Sequence, residues 1–238
     1  MSCLIYYITD RNQLRGDEAR RRRALLAKVA EAARAGVDYI QLREKDLGAR
    51  DLEALAREVA AVVRENSTAT RLLINSRTDV ALAAGADGVH LRADDIAPTE
   101  VRRMLGSPPG QEPASVFSGS GTPQSHALPN NISLTAPKQF LVAVSCHSAE
   151  DVISAESGLA DFAVCAPVFE KNNASGTQPI GAAVLQQACR ANIPVLALGG
   201  VTLENAASCL HAGAAGIAGI RIFQENTIED VVRELRAL

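Results

Sequence analysis

The 238-residue sequence predicts an α/β fold, a (β/α)8 TIM barrel of eight parallel strands spanning 1–238 as a single domain. Three observations predict it. Eight short, nearly continuous apolar runs recur in order, which suits parallel strands buried on both faces. Segments rich in Ala, Leu, Glu and Arg, with helical spacing of their apolar residues, lie between them. Four of these segments close on similar phrases: Ala35-Gly36-Val37-Asp38, Ala84-Gly85-Ala86-Asp87, Ser157-Gly158-Leu159-Ala160-Asp161 and Ala212-Gly213-Ala214-Ala215-Gly216. Glycine there supplies a left-handed helix cap, and a strand follows within a few residues. A doubly wound open sheet is the competing architecture. Eight regular units favour closure, and no Gly-x-Gly-x-x-Gly motif follows the first run.

The first unit pairs a strand at 4–9 with a helix at 18–35. That helix carries the only dense basic run, Arg20-Arg21-Arg22-Arg23, which follows Asp17 and Glu18 and reads as a solvated helix start. The next three units place strands at 37–43, 71–75 and 88–91, with helices at 49–66, 78–84 and 97–105. The rhythm then breaks at 107–138, where Pro108, Pro109, Pro113, Pro123, Pro129 and Pro137 stand among Ser and Gly. This stretch reads as a flexible insertion between the fourth helix and fifth strand, at the N-terminal face of the barrel and away from the chemistry; His126 within it reads as solvated. The last four units place strands at 140–145, 162–168, 194–199 and 216–222, with helices at 148–157, 181–191, 203–212 and 227–237. Ser148, Thr202 and Thr227 supply start signals, with acidic residues close behind them.

Composition narrows the function. Net charge is −3, aromatic residues make up 3% and Trp is absent, which argues against nucleic acid as a partner. No apolar run approaches membrane-spanning length, so no membrane partner is expected. The five cysteines (Cys3, Cys146, Cys165, Cys189, Cys209) are scattered without a Cys-x-x-Cys pair. They read as reduced thiols of a cytoplasmic protein rather than a disulfide frame or zinc site. Cys146, near a strand end, is the candidate for a catalytic thiol. Oligomeric state is left open, a homo-oligomer included.

In this fold, ligands meet side chains at the C-terminal ends of the strands and in the loops that follow. The second strand ends Gln41-Leu42-Arg43-Glu44-Lys45-Asp46, and alternation puts Gln41, Arg43 and Lys45 on one side. Two cations and an amide at a barrel mouth need an anion or a carboxylate to meet them, so an anion site and an internal ion pair both stand. The third strand ends Asn75-Ser76-Arg77. The fourth ends His90-Leu91-Arg92-Ala93-Asp94-Asp95, where an aspartate can hold Mg²⁺ or cap the next helix. His90 reads as a structural strand histidine, with a general base as the alternative. Gly199-Gly200 follows the seventh strand, and the eighth runs through Gly219-Ile220-Arg221, in the loops that form the recurrent phosphate site of this fold.

Taken together, these motifs resemble the thiamine phosphate synthase family. They are Tyr7-Ile8-Thr9-Asp10, Gln41-Leu42-Arg43-Glu44-Lys45, Ile74-Asn75-x-Arg77 and Gly85-Ala86-Asp87-Gly88-Val89-His90-Leu91, followed by Val144-Ser145-x-His147-Ser148, Ala166-Pro167-Val168-Phe169 and Leu198-Gly199-Gly200-Val201. The likeness covers nearly the whole chain outside 107–138 and extends to a close relative, the thiazole tautomerase. It implies an enzyme, a transferase that joins hydroxymethylpyrimidine diphosphate to hydroxyethylthiazole phosphate and releases pyrophosphate by a dissociative route, with Mg²⁺ as cofactor. Its partners would be small phosphorylated substrates. It further implies that Gln41 faces the pyrimidine, that Arg43, Lys45 and Asn75 hold the diphosphate, and that Ser145 contacts the reacting pyrimidine diphosphate. Asp95 would bind the metal, and Gly200, with backbone near Ile220 and Arg221, would cradle the thiazole phosphate.

The departures from the family pattern are specific. Ser76 stands where a second metal-binding aspartate is usual, which weakens the expected metal site. The loop Phe169-Glu170-Lys171-Asn172-Asn173-Ala174 replaces a Thr-x-Thr-Lys loop, leaving Lys171 to reach the diphosphate if the loop is shorter. Arg221 replaces a small residue, and Arg92 a glycine. Two alternatives follow: a thiazole tautomerase-like isomerase, which needs neither diphosphate nor metal, and a non-catalytic phosphate-ligand binder. Against the isomerase, Ala166-Pro167 stands where a catalytic histidine would precede Val168-Phe169.

Overall fold

The eight apolar runs form eight parallel strands that close on themselves in sequence order. The structure is a computed structural model describing residues 3–106, 139–170 and 178–238. The expected insertion at 107–138 and His126 lie outside the described residues, as does Lys171. The strands are β1 (Leu4–Ile8), β2 (Tyr39–Leu42), β3 (Arg71–Asn75), β4 (Gly88–Leu91), β5 (Leu141–Cys146), β6 (Phe162–Cys165), β7 (Val195–Ala197) and β8 (Gly216–Gly219). Pairing of β1 with β8 as well as with β2 completes the barrel, so among the described residues no edge strand is left exposed. The open-sheet alternative is excluded.

The helices α1 (Glu18–Ala35), α2 (Ala49–Asn66), α3 (Thr78–Ala84), α4 (Pro98–Gly106), α5 (Ala149–Ser157), α6 (Gly181–Ala188) and α7 (Leu203–His211) surround the barrel. A four-residue helix α8 (Arg221–Gln224) and then α9 (Ile228–Arg236) complete the chain. The basic run lies in the first turns of α1, where Arg22 reaches across to Glu58 of α2 at 2.8 Å.

Side-chain alternation sorts every strand into two faces. Tyr6, Ile8, Leu73, Ala143, Phe162, Val164, Leu196 and Ala218 pack together inside the barrel. Ile5, Tyr7, Ile40, Leu72, Val89 and Val142 instead join the larger core between strands and helices. The bottom of the interior is filled by rings: Tyr39 stacks on Phe162 at 4.8 Å, and Tyr6 meets Phe162 edge-on at 5.7 Å. The barrel is therefore a packed core with its opening at one end.

The repeated Gly-to-Asp phrases have a structural reason. Asp38 accepts a hydrogen bond from the Ile5 backbone N–H at 2.7 Å, Asp87 from Leu72 at 2.9 Å and Asp161 from Val142 at 2.6 Å. Each aspartate before an even-numbered strand thus secures the start of the strand preceding it. Arg236, Arg71 and Arg102 pair with the same three carboxylates. The N-terminal face is held by this belt of charge.

Two expectations are corrected. Gly158 does not adopt the left-handed conformation, with φ −78°; the next residue, Leu159, takes it at φ 64°. The runs 162–168, 194–199 and 216–222 overshoot strands that end at Cys165, Ala197 and Gly219. Apolar residues past those ends, such as Val168 and Ile222, stay buried, so apolarity persists after the ladder stops.

Candidate active site

The interior face that carries Tyr6 and Phe162 at the bottom continues upward to polar residues. On β2 it passes from Tyr39 to Gln41 and on to Arg43; on β3, from Leu73 to Asn75; on β5, from Ala143 to Ser145. On β4 it reaches His90. These side chains meet at the C-terminal ends of the strands around a cavity of about 1060 Å³, which Gly199, Gly200, Ile220 and Arg221 close from the opposite wall.

The polar floor is internally wired. Gln41 Nε2 donates to Asn75 Oδ1 at 3.1 Å, and Asn75 Nδ2 to Ser76 Oγ at 3.1 Å. His90 bridges Tyr6 Oη, 2.9 Å from Nδ1, and Ser145 Oγ, 2.8 Å from Nε2. Burial, reinforced by the nearby Arg43 charge and opposed by Asp95, lowers the His90 pKa to about 3, so the ring is neutral at physiological pH. The expected structural histidine is thus a buried link between the barrel interior and the cavity.

Arg43 lines the cavity, and among the described residues it pairs with no carboxylate, so the internal ion pair considered from sequence is absent. What positions it is a neighbouring cluster that sequence reasoning missed. Thr9 Oγ1 accepts from the Arg43 backbone N–H at 3.0 Å and donates to Glu44 Oε1 at 2.6 Å. Arg11 reaches Glu44 at 3.1 Å, Asp46 at 2.6 Å and Glu18 at 2.8 Å, with only 4% of its side chain exposed. Burial pushes the Glu44 carboxyl up; the bonds from Thr9 and Arg11 oppose that shift. Lys45 departs from the alternation pattern. The strand ends at Leu42, and Lys45 is exposed in the turn beyond rather than in the cavity wall.

Gly199 and Gly200 have φ of 91° and 67°, a conformation that favours glycine. A Cβ on Gly200 would lie 2.6 Å from the Glu170 carbonyl oxygen, so only glycine lets the β7–α7 loop pack against the loop after β6. Arg221 belongs to α8 rather than to an eighth strand extended to 222, because Ile220 already has helical dihedrals. Cys146 does not serve as a catalytic thiol: it is fully buried, and burial pushes its pKa up to about 12. All five cysteines are free.

The family model for thiamine monophosphate synthase matches residues 5–108 and 124–223. The chain belongs to this family. A protein of Aquifex aeolicus (strain VF5) is 36% identical over 222 residues, covering 93% of this chain and 97% of that one. The thiamine-phosphate synthase of Roseiflexus sp. (strain RS-1) is 34% identical over 219 residues, covering 91% of this chain and 76% of the relative. Among solved structures, thiamine phosphate pyrophosphorylase from Pyrococcus furiosus superposes with a TM-score of 0.71 at 25% identity, covering 98% of this chain and 94% of that one.

Within the family frame, the loop after β4 bears on metal binding. Asp95 Oδ2 accepts from the Arg92 backbone N–H at 2.7 Å, and its Oδ1 lies 3.2 Å from the Arg92 guanidinium. Asp94 pairs with the same arginine at 3.3 Å. Among the described residues no three His, Cys, Asp or Glu side chains group as a cation cage. The donor chemistry present is one largely buried carboxylate at the end of β4 and the Ser76 hydroxyl at the end of β3. A hard cation held through this one carboxylate, with substrate phosphates supplying further oxygens, would take the place of the Arg92 guanidinium on Asp95. No helix among the described residues is long and apolar enough to cross a membrane.

Proposed function

We propose that this chain joins hydroxymethylpyrimidine diphosphate to hydroxyethylthiazole phosphate and releases pyrophosphate. One observation carries the reading. Gln41, Arg43, Asn75 and Ser145 share a single cavity with Gly200 and Arg221, so an arginine among amide and hydroxyl side chains faces a glycine-rich wall across space for two ligands. A cavity of about 1060 Å³ lies just above the range for small-molecule sites, roughly 300–1000 Å³, in keeping with two substrates bound together.

In this reading Arg43 meets the charge that grows on the departing diphosphate, and Asn75, tied to Gln41, orients it. Gln41 faces the pyrimidine, and Ser145 contacts the reacting pyrimidine diphosphate. Backbone N–H groups beside Gly200 and at the start of α8 cradle the thiazole phosphate, with Arg221 adding charge. The exposed Lys45 completes the diphosphate contacts from the rim, and Lys171 is assigned the place of the usual loop lysine. Mg²⁺ would be held by Asp95 with the Ser76 hydroxyl, supplying charge neutralisation at the diphosphate. Arg92 holds the Asp95 carboxylate through its backbone N–H and its guanidinium.

The isomerase reading finds no free histidine base among the described residues that line the cavity. Ala166 and Pro167 occupy the expected histidine position, and both His90 nitrogens are already in hydrogen bonds. Purified protein with both substrates and Mg²⁺ is expected to release pyrophosphate and form thiamine phosphate, followed by a coupled phosphate assay and mass spectrometry. Either substrate alone should give none. Absence of pyrophosphate with both present overturns the proposal. Turnover of thiazole carboxylate phosphate in the presence of chelator would establish the isomerase.

A further inference from the structure

We propose that Tyr6 and His90 act as positioning residues that fix Ser145 as a hydrogen-bond donor into the cavity, so that the ligand atom above it is an acceptor. The argument follows the protons. Tyr6 is fully buried inside the barrel, and the His90 ring is the partner of its hydroxyl, Oη to Nδ1 2.9 Å. If Tyr6 accepted from Nδ1–H, its own proton would point into the packed interior with no acceptor. A buried donor left unmade costs about 1–3 kcal/mol. Tyr6 therefore donates, and Nδ1 is bare.

A neutral ring with a bare Nδ1 carries its proton on Nε2. That N–H donates to Ser145 Oγ at 2.8 Å and takes up a lone pair of the hydroxyl. The Ser145 proton then has no acceptor among the described residues of the floor and turns to the cavity that Ser145 lines. Two acceptor chemistries suit the position: an unprotonated heteroaromatic nitrogen and a phosphate oxygen. Assigning either to a substrate rests on the function proposed above; the wiring itself does not.

The first test reads the wiring in ligand-free protein. With ¹⁵N-labelled histidine, the resonances lost in His90→Asn identify His90 among the four histidines. A protonated Nε2 and bare Nδ1 are expected, unchanged from pH 8 to pH 5. A protonated Nδ1, or a doubly protonated ring in that range, overturns the relay whether or not the protein is active. Tyr6→Phe is expected to mix the tautomers and to lower kcat/KM about tenfold. Tyr6→Phe with Ser145→Ala should be no worse than Ser145→Ala alone; additive losses overturn the coupling.

The second test identifies the acceptor by calorimetric titration with inorganic pyrophosphate and, separately, with the unphosphorylated pyrimidine alcohol. Ser145→Ala should weaken one of them about tenfold: pyrophosphate if the acceptor is a phosphate oxygen, the alcohol if it is a ring nitrogen. Equal binding of both probes by wild type and variant overturns the donor role. A confirmed tautomer in a protein without transferase activity would sink the proposed function and leave the wiring standing.

Discussion

Arg43, in the cavity wall after β2, and Arg92, in the loop after β4, spend their charge differently. Arg92 is committed to Asp94 and Asp95, whereas Arg43 is anchored through its backbone and pairs with no carboxylate among the described residues. Its guanidinium is therefore available to a ligand. Arg43→Ala is expected to lower kcat/KM by more than about tenfold, because a cation facing developing charge is worth a few kcal/mol. Arg43→Lys should recover only part of that loss. Steady-state kinetics with the pyrimidine diphosphate check this, and an unchanged rate removes Arg43 from the site. Arg43 was legible because a two-residue period carries a side chain from Gln41 to the same face. Lys45 was misplaced by the same rule, since the period ends where the strand ends.

At the scale of elements, the segments after β1 and β2 are locked together by Arg11. Its partners Glu44 and Asp46 lie 33 and 35 positions away, and no local pattern links them. Glu44 is wholly buried, so removing Arg11 leaves a carboxylate without its cation. Arg11→Met should cost about 3–5 kcal/mol in urea unfolding, and adding Glu44→Gln should restore part of it. A loss under about 1 kcal/mol would show the cluster to be solvent-relaxed. The helix ranges read from sequence match α1, α2 and α3 because helix caps and periodicity are local signals. The upper ends of β6, β7 and β8 were missed because the chain stays apolar where it turns into the mouth of the barrel.

For the whole molecule, closure of the barrel places His90 where no single unit could. The unfolded chain protonates this imidazole near 6.5, the folded chain only near 3. Between those values the unfolded state binds more protons, so stability rises with pH and is lost on acidification. One such group contributes a slope of about 1.4 kcal/mol per pH unit. Urea unfolding between pH 6 and pH 4 should show a shallower pH dependence for His90→Asn than for wild type. Identical slopes would mean that the ring is not held neutral by burial.

The sequence by itself determined the number and order of the units, the parity that aims Gln41, Asn75, His90 and Ser145 inward, and the glycines that the β7–α7 loop requires. Each depends on neighbours within a few residues, where backbone geometry imposes a period. Tertiary structure alone decided which distant charges meet: Arg11 pairs with Glu44, and Arg43 with no carboxylate among the described residues. It also joined Tyr6 to His90 and Ser145 across the barrel. Electrostatic pairing and burial depend on distances through space, and these are set only when β1 meets β8 and the ring closes.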